Sequence, residues 1–179
     1  MLDFDYIQIE PTFNCNLQCR HCGRGRRYVG KEMSPNKLRL VLDQFKDIRI
    51  SYVVFNGGGE VFTHNKIEEM FTILNKKGYP ISIISNGTLL HKKDMEYIIQ
   101  NGLVYFLILS MEGTTKKSYE SVRGENTFNL FINNIKRIQE LKDKWKTPFP
   151  RLILNVVCMK DNLYELPLIV DFARENGIR

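Results

Sequence analysis

A chain of 179 residues, 43% hydrophobic and 26% charged, is long enough for one globular domain with a sizeable core and too apolar for a disordered polymer. Its apolar runs are only strand-length, and Met1-Leu2-Asp3-Phe4-Asp5 lacks the basic and apolar regions of a signal peptide. We therefore expect no membrane span and a cytoplasmic setting, where thiols stay reduced. The formal charge of +6 and pI of about 9.1 permit an acidic partner or nucleic acid without demanding one.

The first expected strand is Tyr6-Ile7-Gln8-Ile9-Glu10, ended by Pro11. Directly after it, Asn14-Cys15-Asn16-Leu17-Gln18-Cys19-Arg20-His21-Cys22 places three of the four cysteines within eight residues. A Cys-x3-Cys-x2-Cys run is too tight for a disulfide framework and lacks the two close pairs of a zinc site. It suits a loop wrapped around a cubane [4Fe-4S] cluster, held at three irons and open to a non-protein ligand at the fourth. The competing reading is structural zinc, which needs a fourth protein donor. His21 is poorly placed beside Cys22, and Cys158 and His64 are distant in sequence. Arg20, Arg24, Arg26, Arg27 and Lys31 crowd the same loop. They read first as a solvated face and second as a dock for an acidic electron donor or an anionic substrate.

Ser34-Pro35 is an N-cap followed by proline at the first helical position, and Leu38, Val41, Leu42, Phe45 and Ile48 mark the apolar face of a first helix. A second strand, Ser51 to Phe55, runs into Asn56-Gly57-Gly58-Gly59-Glu60. Ile67, Met70, Phe71 and Leu74 stripe a second helix, stopped at Gly78. Ile81 to Ile84 forms a third strand and opens into Ser85-Asn86-Gly87. A third helix spans about His91 to Gln100, and a fourth strand, Val104 to Leu109, opens into Ser110-Met111-Glu112-Gly113. A long connection carrying Tyr119 and Arg123-Gly124 then leads to a helix striped by Phe128, Phe131, Ile132, Ile135, Ile138 and Leu141. Pro148 and Pro150 end it. The fifth strand is expected from Leu152 to about Val157, with Cys158 as a buried small hydrophobe. A last helix follows Asp161, carries Pro167 early and closes at Gly177.

The alternation of strand and helix, five times over, means parallel strands with right-handed crossovers and helices outside, an α/β fold. In such folds ligands sit at the carboxyl ends of the strands. The cysteine loop, the glycine run, Ser85-Asn86-Gly87 and Ser110-Met111-Glu112-Gly113 all fall on that one rim.

On these motifs the chain resembles the radical S-adenosylmethionine (SAM) enzymes, whose signature is the cysteine triplet with an aromatic residue before the last cysteine; His21 holds that place. The resemblance implies that Cys15, Cys19 and Cys22 hold a [4Fe-4S] cluster whose fourth iron is chelated by SAM. It implies reductive cleavage of SAM to a 5'-deoxyadenosyl radical, with the protein orienting the cofactor. Gly58, Gly59 and Glu60 resemble the family's Gly-Gly-Glu-Pro segment, whose bare backbone meets the SAM ammonium; the usual proline is Val61. Asn86 and Ser110 match positions that touch ribose or carboxylate, the alternatives being a turn-forming asparagine and a capping serine. Arg123, in Tyr119-Glu120-Ser121-Val122-Arg123-Gly124, resembles the arginine-glycine step of the molybdopterin-precursor and peptide-modifying subgroup, where a guanidinium pairs with the SAM carboxylate. Its alternative is a surface ion pair with Glu120 or Glu125, and Glu112 is left between capping and facing substrate.

The implied partners are a reductant such as a flavodoxin or ferredoxin and a peptide or small-molecule substrate; no membrane is expected, and nucleic acid is the less favoured partner. The resemblance implies a partial (β/α) barrel, since the family core is one of six β-α units; five are read here. We expect residues 1–179 to be one core domain lacking its C-terminal part, its last strand covered by a missing segment or a partner chain. Two readings stay beside this one. A zinc-stabilised basic module would use Arg24 to Lys31 on phosphates, and a truncated scaffold would keep the fold without catalysis.

Overall fold

The computed structural model describes residues 3–23, 30–90 and 92–178. Five parallel strands form one sheet in sequence order: β1 (Asp3–Ile9), β2 (Arg49–Phe55), β3 (Ile81–Ser85), β4 (Val104–Ser110) and β5 (Arg151–Asn155). Between them lie α1 (Pro35–Asp43), α2 (Ile67–Lys76), α3 (Lys92–Gln100), α4 (Lys116–Arg123) and α5 (Phe128–Lys144), and α6 (Glu165–Glu175) follows β5. Strands added always on the same side require crossovers of one hand, so the helices cover one face of the sheet. The sheet is not closed, and among the described residues β1 and β5 each pair on one side only.

The register explains why this alternation of residues makes one core. Ile9 lies opposite Phe55, Phe55 opposite Ile83, Ile83 opposite Leu107, and Leu107 opposite Leu152. That single row crosses all five strands and every member is buried. With a side-chain period of two, slipping any strand by one residue would turn its member of the row away from the helices. The helices supply the matching layer through Leu38 and Leu42 of α1, Met70, Phe71 and Leu74 of α2, and Phe131, Ile135 and Ile138 of α5. Tyr119 of α4 joins them, its ring 5.1 Å from that of Phe131.

The helix ends follow local chemistry. Ser34 caps α1 by accepting a hydrogen bond from the Lys37 amide at 3.2 Å, with Pro35 at the start of the helix. The α2 segment ends near Gly78, which takes a left-handed φ of 78°.

Three sequence expectations need correction. The connection after β4 is not a plain loop: it holds α4, capped by a Thr115–Ser118 capping box. The fifth strand stops at Asn155, and Cys158 is exposed rather than buried, because the chain has left the sheet before reaching it. The expected His91 start of the third helix lies outside the described residues, as do Arg24, Arg26 and Arg27 of the basic cluster.

Candidate active site at the carboxyl rim

The loop after β1 carries Cys15, Cys19 and Cys22, none of them in a disulfide. Its shape is set by Asn14, which makes five hydrogen bonds. The Asn14 carbonyl accepts from the Glu60 amide at 2.7 Å and the Thr63 hydroxyl at 3.0 Å. Its side chain accepts from the Gly30 amide and donates to Glu32, and its own amide donates to Thr12. The loop preceding Cys15 is thereby fastened to the segment after β2.

The glycine run shows why it is glycine. A Cβ on Gly59 would collide with the backbone carbonyls of Thr12 and Asn14, and one on Gly58 would press on the Phe13 ring. The two loops touch backbone to backbone, an approach that any side chain would prevent.

Glu60 is buried and spends its carboxylate inside the protein. Oε1 accepts from the Ser85 hydroxyl at 2.8 Å and the Phe62 amide at 3.3 Å, and Oε2 accepts from the Asn86 amide at 2.7 Å. Burial pushes this carboxyl above its ordinary value while the Asn86, Ser85 and Phe62 donors pull the other way. Glu60 thus joins the ends of β2 and β3. Asn86 continues the chain: its side-chain NH2 donates to Asn16 at 2.9 Å, its oxygen accepts from the Thr88 amide and hydroxyl, and the Asn16 amide donates to Thr88. The cysteine loop is therefore held to the β3 rim as well.

On the other flank, the Arg20 amide donates to the Val122 carbonyl at 2.8 Å, setting the end of α4 against the cysteine loop, and the Arg20 side chain meets Asp161 at 2.8 Å. Arg123 is buried. Its Nε and Nη2 both donate to the Glu112 carboxylate, the second at 2.7 Å, and Nη1 donates to Cys19 Sγ at 3.6 Å. The anticipated surface partners Glu120 and Glu125 are not the ones used. Burial pushes the Cys19 thiol up, and the Arg123 guanidinium opposes it. Ser110 ends β4, buried.

The residues fit the group the motifs imply. Cys19 and Cys22 bound one turn, where the Cys22 amide donates to the Cys19 carbonyl at 3.0 Å, and Cys15 precedes them on the same loop. The buried Nδ1 of His21 has no hydrogen-bond partner among the described residues, and burial lowers the pKa of this ring, favouring its neutral form. Among the described residues no three His, Cys, Asp or Glu side chains are grouped to hold one metal ion. A cubane asks something different, one thiolate at each of three irons.

The candidate sites on the sequence all come to this rim, but their side chains face different tasks. Cys15, Cys19, Cys22 and His21 share the loop after β1; Gly58 and Gly59 abut it; Glu60, Asn86 and Arg123 brace it through named bonds. Sequence reasoning missed Asn14, Asn16, Thr88, Asn162 and Glu165. An asparagine beside the triplet was the only local signal; the others declare themselves through partners tens of residues away.

Five parallel strands in one open sheet, with a cysteine-bearing loop tied to its carboxyl rim, define an α/β protein of the partial-barrel class. The Radical SAM superfamily model matches residues 9–167, and the chain belongs to that family. It is 25% identical over 178 residues to the tungsten-containing aldehyde ferredoxin oxidoreductase cofactor-modifying protein of Pyrococcus furiosus, covering 97% of this chain and 49% of that one. It is 27% identical over 183 residues to the subtilosin biosynthesis protein AlbA of Bacillus subtilis, covering 97% and 38%. A third relative, the AdoMet-dependent heme synthase of Methanosarcina barkeri, is 28% identical over 173 residues, covering 96% and 47%. The chain thus spans about half the length of these relatives, or less. Among solved structures, Streptococcus suis SuiB bound to S-adenosylmethionine superposes with a TM-score of 0.78 at 20% identity, over 97% of this chain and 39% of that one, a likeness of fold. No helix among the described residues is long and apolar enough to cross a membrane.

Proposed function

We propose that residues 1–179 form a radical SAM core domain in which Cys15, Cys19 and Cys22 hold one [4Fe-4S] cluster and S-adenosylmethionine occupies its remaining iron. Bound together, these groups supply reductive cleavage of the sulfonium to a 5'-deoxyadenosyl radical, for hydrogen abstraction from a peptide or cofactor-precursor substrate. An external one-electron donor such as a flavodoxin or ferredoxin provides the electron.

The observation that carries the reading is the seating of three cysteines, none in a disulfide, on a loop fastened to the glycine run through Asn14. The chain's own residues then divide the work. The bare backbone of Gly58 and Gly59 receives the SAM ammonium, and Ser110 with the Asn86 segment faces ribose or carboxylate. Glu60 acts through shape, since its carboxylate is taken by Ser85, Phe62 and Asn86. His21 closes the loop beside Cys22, and Arg123, held by Glu112 against the thiolate loop, is the guanidinium that would pair with the SAM carboxylate. Relatives named for modifying a cofactor or making a bacteriocin support the substrate class, as does SuiB, which has been solved with its precursor peptide SuiA.

Anaerobic reconstitution with iron and sulfide tests the cluster. The expected product contains iron and sulfide in the ratio of a [4Fe-4S] cluster, and Cys19→Ala abolishes it, because no neighbouring donor replaces the lost thiolate. Purified protein carrying tetrahedral zinc with four protein donors contradicts the reading.

A further inference from the structure

The Arg123–Glu112 pair does more than fill a buried space. Both residues are nearly inaccessible, with Glu112 at 0% and Arg123 at 6% exposure. Isolated buried ion pairs are costly and commonly replaceable by apolar side chains, so this one calls for a reason. The guanidinium is gripped at Nε and Nη2 by the two oxygens of Glu112. This fork-to-fork geometry fixes the plane of the group, which a lysine could not reproduce. One edge of the guanidinium is left, and it is aimed: Nη1 lies 3.6 Å from Cys19 Sγ.

The backbone on each side is fixed independently. The Asn162 side chain donates to the Glu112 carbonyl at 3.2 Å. The Arg20 amide, one residue from Cys19, donates to the carbonyl of Val122, one residue from Arg123. Donor and acceptor are thus clamped from the cysteine loop, from α4 and from the segment before α6.

We propose that Glu112 and Arg123 are positioning residues that deliver a charge-assisted N–H···S hydrogen bond to the Cys19 thiolate and so raise the reduction potential of the cluster it holds. Rested on the cluster assignment above, the physical reason is simple. Reduction adds negative charge to the cluster and its thiolates, and a donor aimed at a thiolate stabilises the reduced form more than the oxidised one. Glu112 supplies the aim, and Arg123 supplies the proton donor.

The test is an EPR-monitored potentiometric titration of the reconstituted protein without SAM. Either single change would strand a buried charge, so the variant is the double Glu112→Leu, Arg123→Met protein, in which the pair is replaced by apolar side chains of similar volume. At a fixed potential within the transition its ratio of reduced to oxidised cluster should be about tenfold lower, equivalent to a midpoint about 59 mV more negative for a one-electron couple. A second measurement needs no variant: arginine labelled with nitrogen-15 in the wild-type protein should add a coupling to the pulsed EPR spectrum of the reduced cluster. A fully loaded double variant with an unchanged midpoint, or a wild-type cluster with no arginine nitrogen coupling, overturns the proposal while leaving the cluster assignment intact. A wild-type chain that takes up no iron overturns both.

Discussion

At the scale of single residues, Glu60 and Gly59 decide whether the rim keeps its shape. The Glu60 carboxylate accepts three hydrogen bonds from three places on the chain. A glutamine there would turn an NH2 toward the Asn86 amide, leaving a buried donor facing a donor. Glu60→Gln should therefore cost about 1–3 kcal/mol of stability, read as a lower urea midpoint with an unchanged slope. A wild-type midpoint would mean that the carboxylate does not bridge β2 and β3. Gly59→Ala acts differently, since its methyl group meets backbone rather than a side chain that could swing away. It should displace the Thr12–Asn14 segment and with it the cysteine turn, lowering iron uptake on reconstitution while far-UV circular dichroism stays near wild type. Full iron uptake by Gly59→Ala would show that the loops need not touch.

At the scale of elements, the short α4 is the piece on which the flank of the site depends. Thr115 and Ser118 cap its start reciprocally, and the Thr114 amide and hydroxyl donate to the Glu165 carboxylate at 2.8 and 2.7 Å, tying the loop before α4 to the start of α6. Burial pushes the Glu165 carboxyl up, but the hydrogen bonds from Thr114 and Ser118 outweigh it and hold the group below its ordinary value of 4.5. Between the folded and unfolded pKa values the unfolded chain binds more protons, so stability rises with pH there. The contribution of Glu165 is present in full above pH 4.5 and is lost as the pH falls through the lower, folded value. The stability difference between wild type and Glu165→Gln, measured by urea denaturation, should accordingly shrink as the pH is lowered below 4.5. A difference independent of pH would show that the carboxylate is not ionised in its contact with Thr114.

At the scale of the whole molecule, the order of strands and the gathering of the unusual loops at one rim were legible because they follow from repetition. The buried row from Ile9 to Leu152 lies in apolar runs separated by helix-period segments, and parallel strands joined by helices put every special loop at the same end. What could not be read has physical causes. In α4, Tyr119 and Val122 are the apolar residues of an otherwise polar octapeptide, too weak a stripe to mark a helix, and its capping box uses Ser118 where glutamate or glutamine is the familiar partner. Cys158 sits in an apolar run, but hydropathy does not reveal that β5 ends three residues earlier. The Asn16–Asn86 bond spans seventy residues and the Glu112–Arg123 pair joins the loop after β4 to the end of α4, so neither leaves a trace in local spacing. The polar network that shapes the site is a product of the fold, whereas the thiols it serves are written in one short stretch.

Reductive cleavage of SAM is the reaction proposed for this rim. The reconstituted, dithionite-reduced protein incubated anaerobically with S-adenosylmethionine should release 5'-deoxyadenosine and methionine, and Cys15→Ala, Cys19→Ala and Cys22→Ala should each remove that product. A wild-type protein with its cluster fully assembled and reduced that leaves S-adenosylmethionine intact would contradict it.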